Sequence, residues 1–205
     1  MSSQQSSRSK PPALPGFEAR PRRTRLVPAA VSARLTLILL LVTAPLAAIC
    51  SESASGLEFG IRAAQDDGGN EVGFNQYELL LTKPTKWRWD FERTRLTVTL
   101  EGSLGMLKGG GDEGFLVSLG PGLVLDNQGG TLYGMIGISP TLLSKAHYGD
   151  EDLGGSFYFT SYVGVGLKFA ESWRFGYRYS HMSNAGINSA NPGLNLHALE
   201  LRHAF

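Results

Sequence analysis

From Gly56 onward, apolar and polar residues alternate with a period of two, in runs of about ten. No segment sustains the 3.6-residue period of an amphipathic helix, so the chain must fold as sheet. "RLTVTLEGSLGM" sets Leu96, Val98, Leu100, Leu104 and Met106 on one face and Thr97, Thr99, Glu101 and Ser103 on the other. "SFYFTSYVGVGLKF" sets Phe157, Phe159, Val163, Val165, Leu167 and Phe169 against Tyr158, Thr160, Tyr162, Gly164, Gly166 and Lys168. "FLVSLGPGLVL" and "TLYGMIGI" follow the same rule, with small residues on the second face.

The spacing predicts eight strands, near 57–65, 72–90, 94–107, 113–125, 131–140, 154–169, 173–183 and 195–205. "DFER", "DNQGG" and "AES" read as tight turns. "DDGGNE", "KGGGDE", "PTLLSKAHYGDED" and "NAGINSANPGL" read as longer loops. Alternating short and long connections with an even strand number describe an eight-stranded antiparallel transmembrane β-barrel of the outer membrane. A soluble sandwich or lipocalin-like barrel would produce the same alternation. Against it, the apolar face carries Phe, Leu and Val on every strand, too bulky for a small lumen. The sequence also ends "LHALELRHAF", and a terminal aromatic such as Phe205 resembles the signal read by the outer-membrane barrel assembly machinery. Trp87 and Trp89 share a face, as an interfacial aromatic girdle requires.

Charge separates a leader from the body. Residues 1–50 hold seven basic side chains and one carboxylate, net +6, and the remainder holds 12 basic and 17 acidic groups, net −5. A basic head followed by the apolar run Leu35–Cys50 matches a cleavable secretory signal peptide, and the run is short of the roughly 20 residues of a membrane helix. Cleavage is expected between about 48 and 55, leaving the barrel as 56–205. The twin Arg22–Arg23 lacks the flanking residues of a folded-export signal, and the long stretch ahead of the apolar run leaves room for a start downstream of Met1. Cys50, the only cysteine, follows Ile49 where a lipoprotein anchor needs a small residue, so neither lipidation nor a disulfide framework is expected. The charge pattern is that of an exported protein, with no nucleic-acid partner.

Candidate chemistry lies in "WRFGYRYSHMSNAGINSANPGLN". Parity places Trp173, Phe175, Tyr177, Tyr179, His181 and Ser183 on one face and Arg174, Gly176, Arg178, Ser180 and Met182 on the other. Arginines belong in a polar lumen, so His181 and Ser183 should face lipid near the extracellular end. Counting back from Phe205 puts Leu201, Leu199, His197 and Asn195 outward and Arg202 and Glu200 inward. Asn195 is then a diagonal cross-strand neighbour of His181, about 7–8 Å away. Glu200 should pair with lumen arginines. His197 has no nearby hydroxyl, and His147, beside Tyr148 and Asp150, reads as loop polarity.

"HMSNAGINSANPGLN" resembles the His-x-Ser-Asn-Ala…Asn-x-Gly motif of the PagL-type lipid A 3-O-deacylases. The resemblance implies an eight-stranded outer-membrane barrel that removes an ester-linked 3-hydroxyacyl chain from lipid A. It implies Ser183 as nucleophile and His181 as general base, with the family's acid position occupied here by Asn195. An amide oxygen accepts the imidazole N–H but cannot stabilise imidazolium by charge. The backbone N–H groups of Asn184, Ala185 and Gly186 are candidate oxyanion donors.

Other chemistry finds little support. "GGGDEG" and "LGPGL" have no phosphate-loop lysine and open no helix, and no His or Cys cluster has zinc spacing, so neither a metal nor another cofactor is expected. The acidic pairs Asp66–Asp67, Asp112–Glu113 and Glu151–Asp152 fall in the proposed extracellular loops, where lipopolysaccharide phosphates hold divalent cations; solvated loop charge accounts for them. Two competing readings remain: a non-catalytic barrel serving structure or adhesion, in which His181 and Ser183 are interfacial polarity, and an esterase acting on phospholipid.

Overall fold

The computed structural model describes residues 56–188 and 190–205. The leader, its cleavage region and Cys50 lie outside the described residues. Ten strands follow in order: β1 (Glu58–Asp66), β2 (Phe74–Asp90), β3 (Thr94–Gly109), β4 (Asp112–Asn127), β5 (Leu132–Leu143), β6 (His147–Tyr148), β7 (Glu151–Asp152), β8 (Phe157–Phe169), β9 (Trp173–Ser183) and β10 (Leu194–Ala204). Eight of them close a barrel in the order β1-β10-β9-β8-β5-β4-β3-β2, and β6 and β7 form a small sheet of their own. Every barrel pairing is antiparallel, so no edge strand is left open.

Side-chain parity follows the sequence. The outward row includes Ile61 (53% exposed), Leu104 (58%), Val165 (60%) and Leu199 (54%). A soluble protein does not leave so continuous an apolar belt in water, so the belt identifies hydrocarbon as the solvent of the outer wall and removes the lipocalin-like alternative. Trp87 and Trp89 are exposed on the turn-end segment of β2, Trp87 within the register shift between Pro84 and Arg88 and Trp89 just beyond it. An aromatic girdle occupies that height in such barrels.

The lumen has two layers. In the lower one, Glu101 accepts from Arg62 (2.6 Å), Arg178 (2.8 and 3.0 Å) and Arg202 (2.6 Å). Glu200, as its inward parity requires, pairs with the same three arginines, and Glu78 with Arg62. Three guanidinium groups thus meet three carboxylates, and the Arg178 guanidinium also lies 3.7 Å from the centre of the Tyr162 ring. Toward the turn end a polar cavity of about 200 Å³ opens beside Tyr133, Asp126 and Arg174. In the upper layer the inward residues are apolar: Phe74, Leu107, Leu116, Met182, Leu194 and Leu196 pack with Tyr148 and Leu153 from the β5–β8 loop. Phe74 and Tyr148 meet edge to face, 5.5 Å between ring centres.

Two connections differ from expectation. "KGGGDE", read as a longer loop, is a two-residue turn between paired Gly109 and Asp112, with φ +56° at Gly110 and +85° at Gly111. Positive φ at both central positions is the primed hairpin turn that matches strand twist, and glycine adopts it without strain, so the ladder runs through the polar stretch. "PTLLSKAHYGDED" lengthens β5 to Leu143 and then folds its own hairpin, β6–β7; Tyr148 of that hairpin and Leu153 just after it enter the barrel mouth.

Candidate active site

β9 and β10 meet at the loop end with His181 and Asn195 directly opposite in register, not diagonal. Directly opposed Cα atoms lie about 4.5–5.5 Å apart, and that brings His181 Nδ1 within 2.7 Å of Asn195 Oδ1. Both residues face outward. Ser183, two residues on along β9, shares their face and is half-buried. Among the described residues its hydroxyl makes no hydrogen bond to His181, a contact that such pairs often tighten only with substrate bound.

The described residues between Asn184 and Gly193 are tied together by side chains that the motif contains. Asn184 is fully buried; its Oδ1 accepts from Gly186 N–H (2.9 Å) and its Nδ2 donates to Ala190 O (2.7 Å) and Gly154 O (3.4 Å). Asn191 Oδ1 accepts the Asn184 N–H (3.0 Å). Of the three candidate oxyanion amides, those of Asn184 and Gly186 are therefore already spent. Ala185 N–H has no partner among the described residues, and Ala185 holds φ +54°, a left-handed conformation that costs a non-glycine residue about 1 kcal/mol. Gly193, at φ +75°, packs on the imidazole: a Cβ there would sit 3.1 Å from His181 Cε1.

Sequence reasoning missed Ser161. It stands directly opposite His181 on the β8 side, exposed on the same outer face, with its hydroxyl donating to His181 O at 3.4 Å. Parity within β8 could have flagged it as a polar residue among Phe159, Val163 and Val165. His197 has a hydroxyl neighbour after all: Tyr177 Oη lies 2.6 Å from its Nδ1. His147 Nε2 stands 3.5 Å from Asp152 Oδ2 in the exposed hairpin.

The acidic pairs shape loops. Asp66 accepts Phe74 N–H, Asp67 accepts Gly69 N–H, Glu151 accepts Glu71 N–H and Asp152 accepts Gly154 N–H. Glu113 pairs with Lys108, and Asp112 joins Lys145 to Gly149 N–H. The Gly149 N–H first, and then Lys145, hold the Asp112 carboxyl below the usual carboxylate range.

Comparison with known proteins agrees with this architecture. The crystal structure of the outer membrane enzyme PagL aligns with a TM-score of 0.61 and 26% identity, over 71% of this chain and 99% of that one. Lipid A deacylase PagL of Bordetella bronchiseptica is 41% identical over 69 residues, which is 34% of this chain and 39% of that protein. Its namesake in Pseudomonas aeruginosa is 37% identical over 95 residues, 44% of this chain and 55% of that protein. The chain thus aligns with less than two thirds of either curated relative. Fold and outer-wall chemistry together define an outer-membrane β-barrel with a polar site on its lipid-facing side. The model of the family Lipid A 3-O-deacylase (PagL) matches residues 75–204, and the chain belongs to that family.

Proposed function

We propose that this protein is a lipid A 3-O-deacylase, a serine esterase that hydrolyses the ester-linked 3-hydroxyacyl chain in the outer leaflet. The observation that carries the reading is the His181–Asn195 contact of 2.7 Å on the outer wall, two residues from an outward serine. An acceptor at Nδ1 fixes the tautomer that leaves Nε2 free as a base. A site turned toward hydrocarbon meets a membrane lipid without extracting it.

In this mechanism Ser183 Oγ attacks the ester carbonyl while His181 Nε2 takes its proton. The tetrahedral oxyanion is met by Ala185 N–H, the one of the three candidate amides with no partner among the described residues. Collapse expels the sugar 3-oxygen, which recovers the proton from His181, and leaves an acyl-serine. Water, deprotonated by the same imidazole, then releases the hydroxy fatty acid and restores Ser183. Asn195 orients the ring throughout but adds no negative charge. A serine protease with Asn in place of its triad Asp lost roughly 10⁴-fold in turnover, which bounds the handicap. Phe205, 75% exposed at the chain end, is the element offered to the barrel assembly machinery.

The test is expression in a host bearing lipopolysaccharide, with lipid A compared by mass spectrometry. The wild type should remove one hydroxyacyl unit and Ser183→Ala none. An unchanged lipid A profile from correctly inserted wild type refutes the reading.

A further inference from the structure

The row of cross-strand partners through His181 runs obliquely down the barrel wall, as tilted strands require. Toward β10 it passes Asn195 and leaves the barrel at Asp67, which lies just past the end of β1 and donates its N–H to Asn195 O. The other way it passes Ser161 of β8, Ile138 of β5, Pro121 of β4, Leu100 of β3 and Lys83 of β2. Lys83 stands just beyond Thr82, the partner of Glu58 at the turn end of β1. From Ser183, the β8 side therefore leads down into hydrocarbon and the β10 side leads up out of it. Past Ser161 the descending row is apolar until Lys83.

On that descending side the wall has a gap in its ladder. β4 and β5 pair at Ser118–Thr141 and again at Gly122–Gly137, in one register, but not in between. The interval holds Pro121 and Pro140, and proline brings no N–H to a ladder. Beside it lies an apolar hollow of about 390 Å³, bordered by Val98, Pro121, Leu123, Ile136 and Ile138. Its floor is the backbone of Gly122 and Gly137, with Tyr162 behind them, placed where a Cβ on either glycine would strike it.

Distance ties this hollow to Ser183. Ser183 pairs with Phe159 and Phe159 with Pro140, so Ile138 is two strand spacings across and two residues down, about 12 Å away, and Ile136 is about 16 Å away. A larger hollow of about 590 Å³ surrounds Ala63, Phe175 and Leu199. Leu199 pairs with Tyr177, which is about 20 Å down β9 from Ser183, and Ala63 lies one strand further on. An extended acyl chain advances about 1.25 Å per bond, given a C–C length of about 1.52 Å. Carbons from about 10 to about 14 of a chain held at Ser183 then reach the near hollow, and only a chain longer than about 16 carbons reaches the far one.

We propose that the hollow at the β4–β5 seam is the acyl-tail pocket of this enzyme, receiving the end of an ester-linked chain of about 10 to 14 carbons. The proposal rests on the esterase reading above and adds to it a ruler for chain length. The tail moves from one hydrocarbon environment to another, so what it gains is dispersion contact with a wall of fixed shape, and the preference is severalfold instead of thousandfold.

The test uses the full barrel in detergent micelles and reads the rate at which Ser183 is labelled by dodecyl- and butyl-phosphonofluoridate. The rate ratio, dodecyl over butyl, is compared between variants, so that partition into micelles cancels. It should fall about fivefold in Val98→Phe, which fills the hollow from its β3 edge, and stay within about twofold of wild type in Ala63→Phe, which fills the larger hollow. An unchanged ratio in Val98→Phe overturns the pocket and leaves the esterase intact. A fall confined to Ala63→Phe also overturns it, since the tail would then lie on β1. Should Val98→Phe fail to insert, Ile136→Phe decides by the same ratio. Wild type unlabelled by both probes overturns the esterase and the pocket alike, and no variant is needed to see it.

Discussion

His181 and Asn195 face each other across β9 and β10 as a directly registered pair, with Nδ1 2.7 Å from Oδ1. An amide in that place orients the ring but leaves a transient imidazolium without a counter-charge. Asn195→Asp keeps the size and the contact while adding the charge. We expect kcat/KM for lipid A to rise at least about tenfold, and Asn195→Leu to lower it. Steady-state kinetics in micelles check both; an Asp variant slower than wild type would mean that Asn195 is not the orienting group.

Gly193 matters because it has no side chain. Gly193→Ala would place a methyl 3.1 Å from His181 Cε1 and force alanine to φ +75°. The backbone penalty should cost about 1 kcal/mol of stability, visible in urea titration. Displacement of the imidazole should cost a further tenfold or so in kcat, because small misplacements of catalytic groups are expensive. Equal kcat in the alanine variant would show that the ring is not confined from this side.

The lumen network predicts a stability defect separable from catalysis. Glu101 is the carboxylate shared by Arg62, Arg178 and Arg202, so Glu101→Gln leaves three buried cations facing two anions. Breaking a buried ionic cluster by removing one partner costs about 3–5 kcal/mol. Denaturant unfolding from lipid vesicles should register that loss, while turnover per folded molecule stays near wild type because the network faces away from the site.

Acid should loosen the β5–β8 loop. The Asp112 carboxyl, lowered first by the Gly149 N–H and then by Lys145, is depressed in the folded state relative to its ordinary value of 3.8. A depressed carboxylate contributes its stabilisation above the unfolded value and loses it as pH falls through the lower, folded value. Pepsin cleavage within residues 144–156 should therefore stay slow at pH 4 and accelerate as pH drops below about 3.8, with Asp112→Asn already susceptible at pH 4.

Much of this molecule was legible in its sequence because a strand has only two faces. One parity assignment in "WRFGYRYSHMS" settled the directions of His181, Ser183, Arg178 and Met182 together, and the structure agrees with each. Strand ends were less legible. Polar residues and glycines at Lys108–Glu113 looked like a loop, yet glycines suited to a primed turn let pairing continue to the last residue. The apolar upper lumen was hidden for a different reason. Met182, Leu194 and Leu196 are inward but not polar, and only the tertiary approach of Tyr148 and Leu153 explains them. Asn184 reads in sequence as the first residue of the longer loop "NAGINSANPGL"; its buried side chain staples Gly186 and Ala190 within that loop, and its contact with Gly154 comes from a loop 30 residues away.

The apolar packing across the barrel mouth, stacked on the ionic cluster beneath it, carries a consequence for the cell. Among the described residues, an apolar layer and an ionic layer both stand across the line a solute would follow along the barrel axis. On the proposed reading the chemistry is done from the flank of the barrel, and its filled centre takes no part in it.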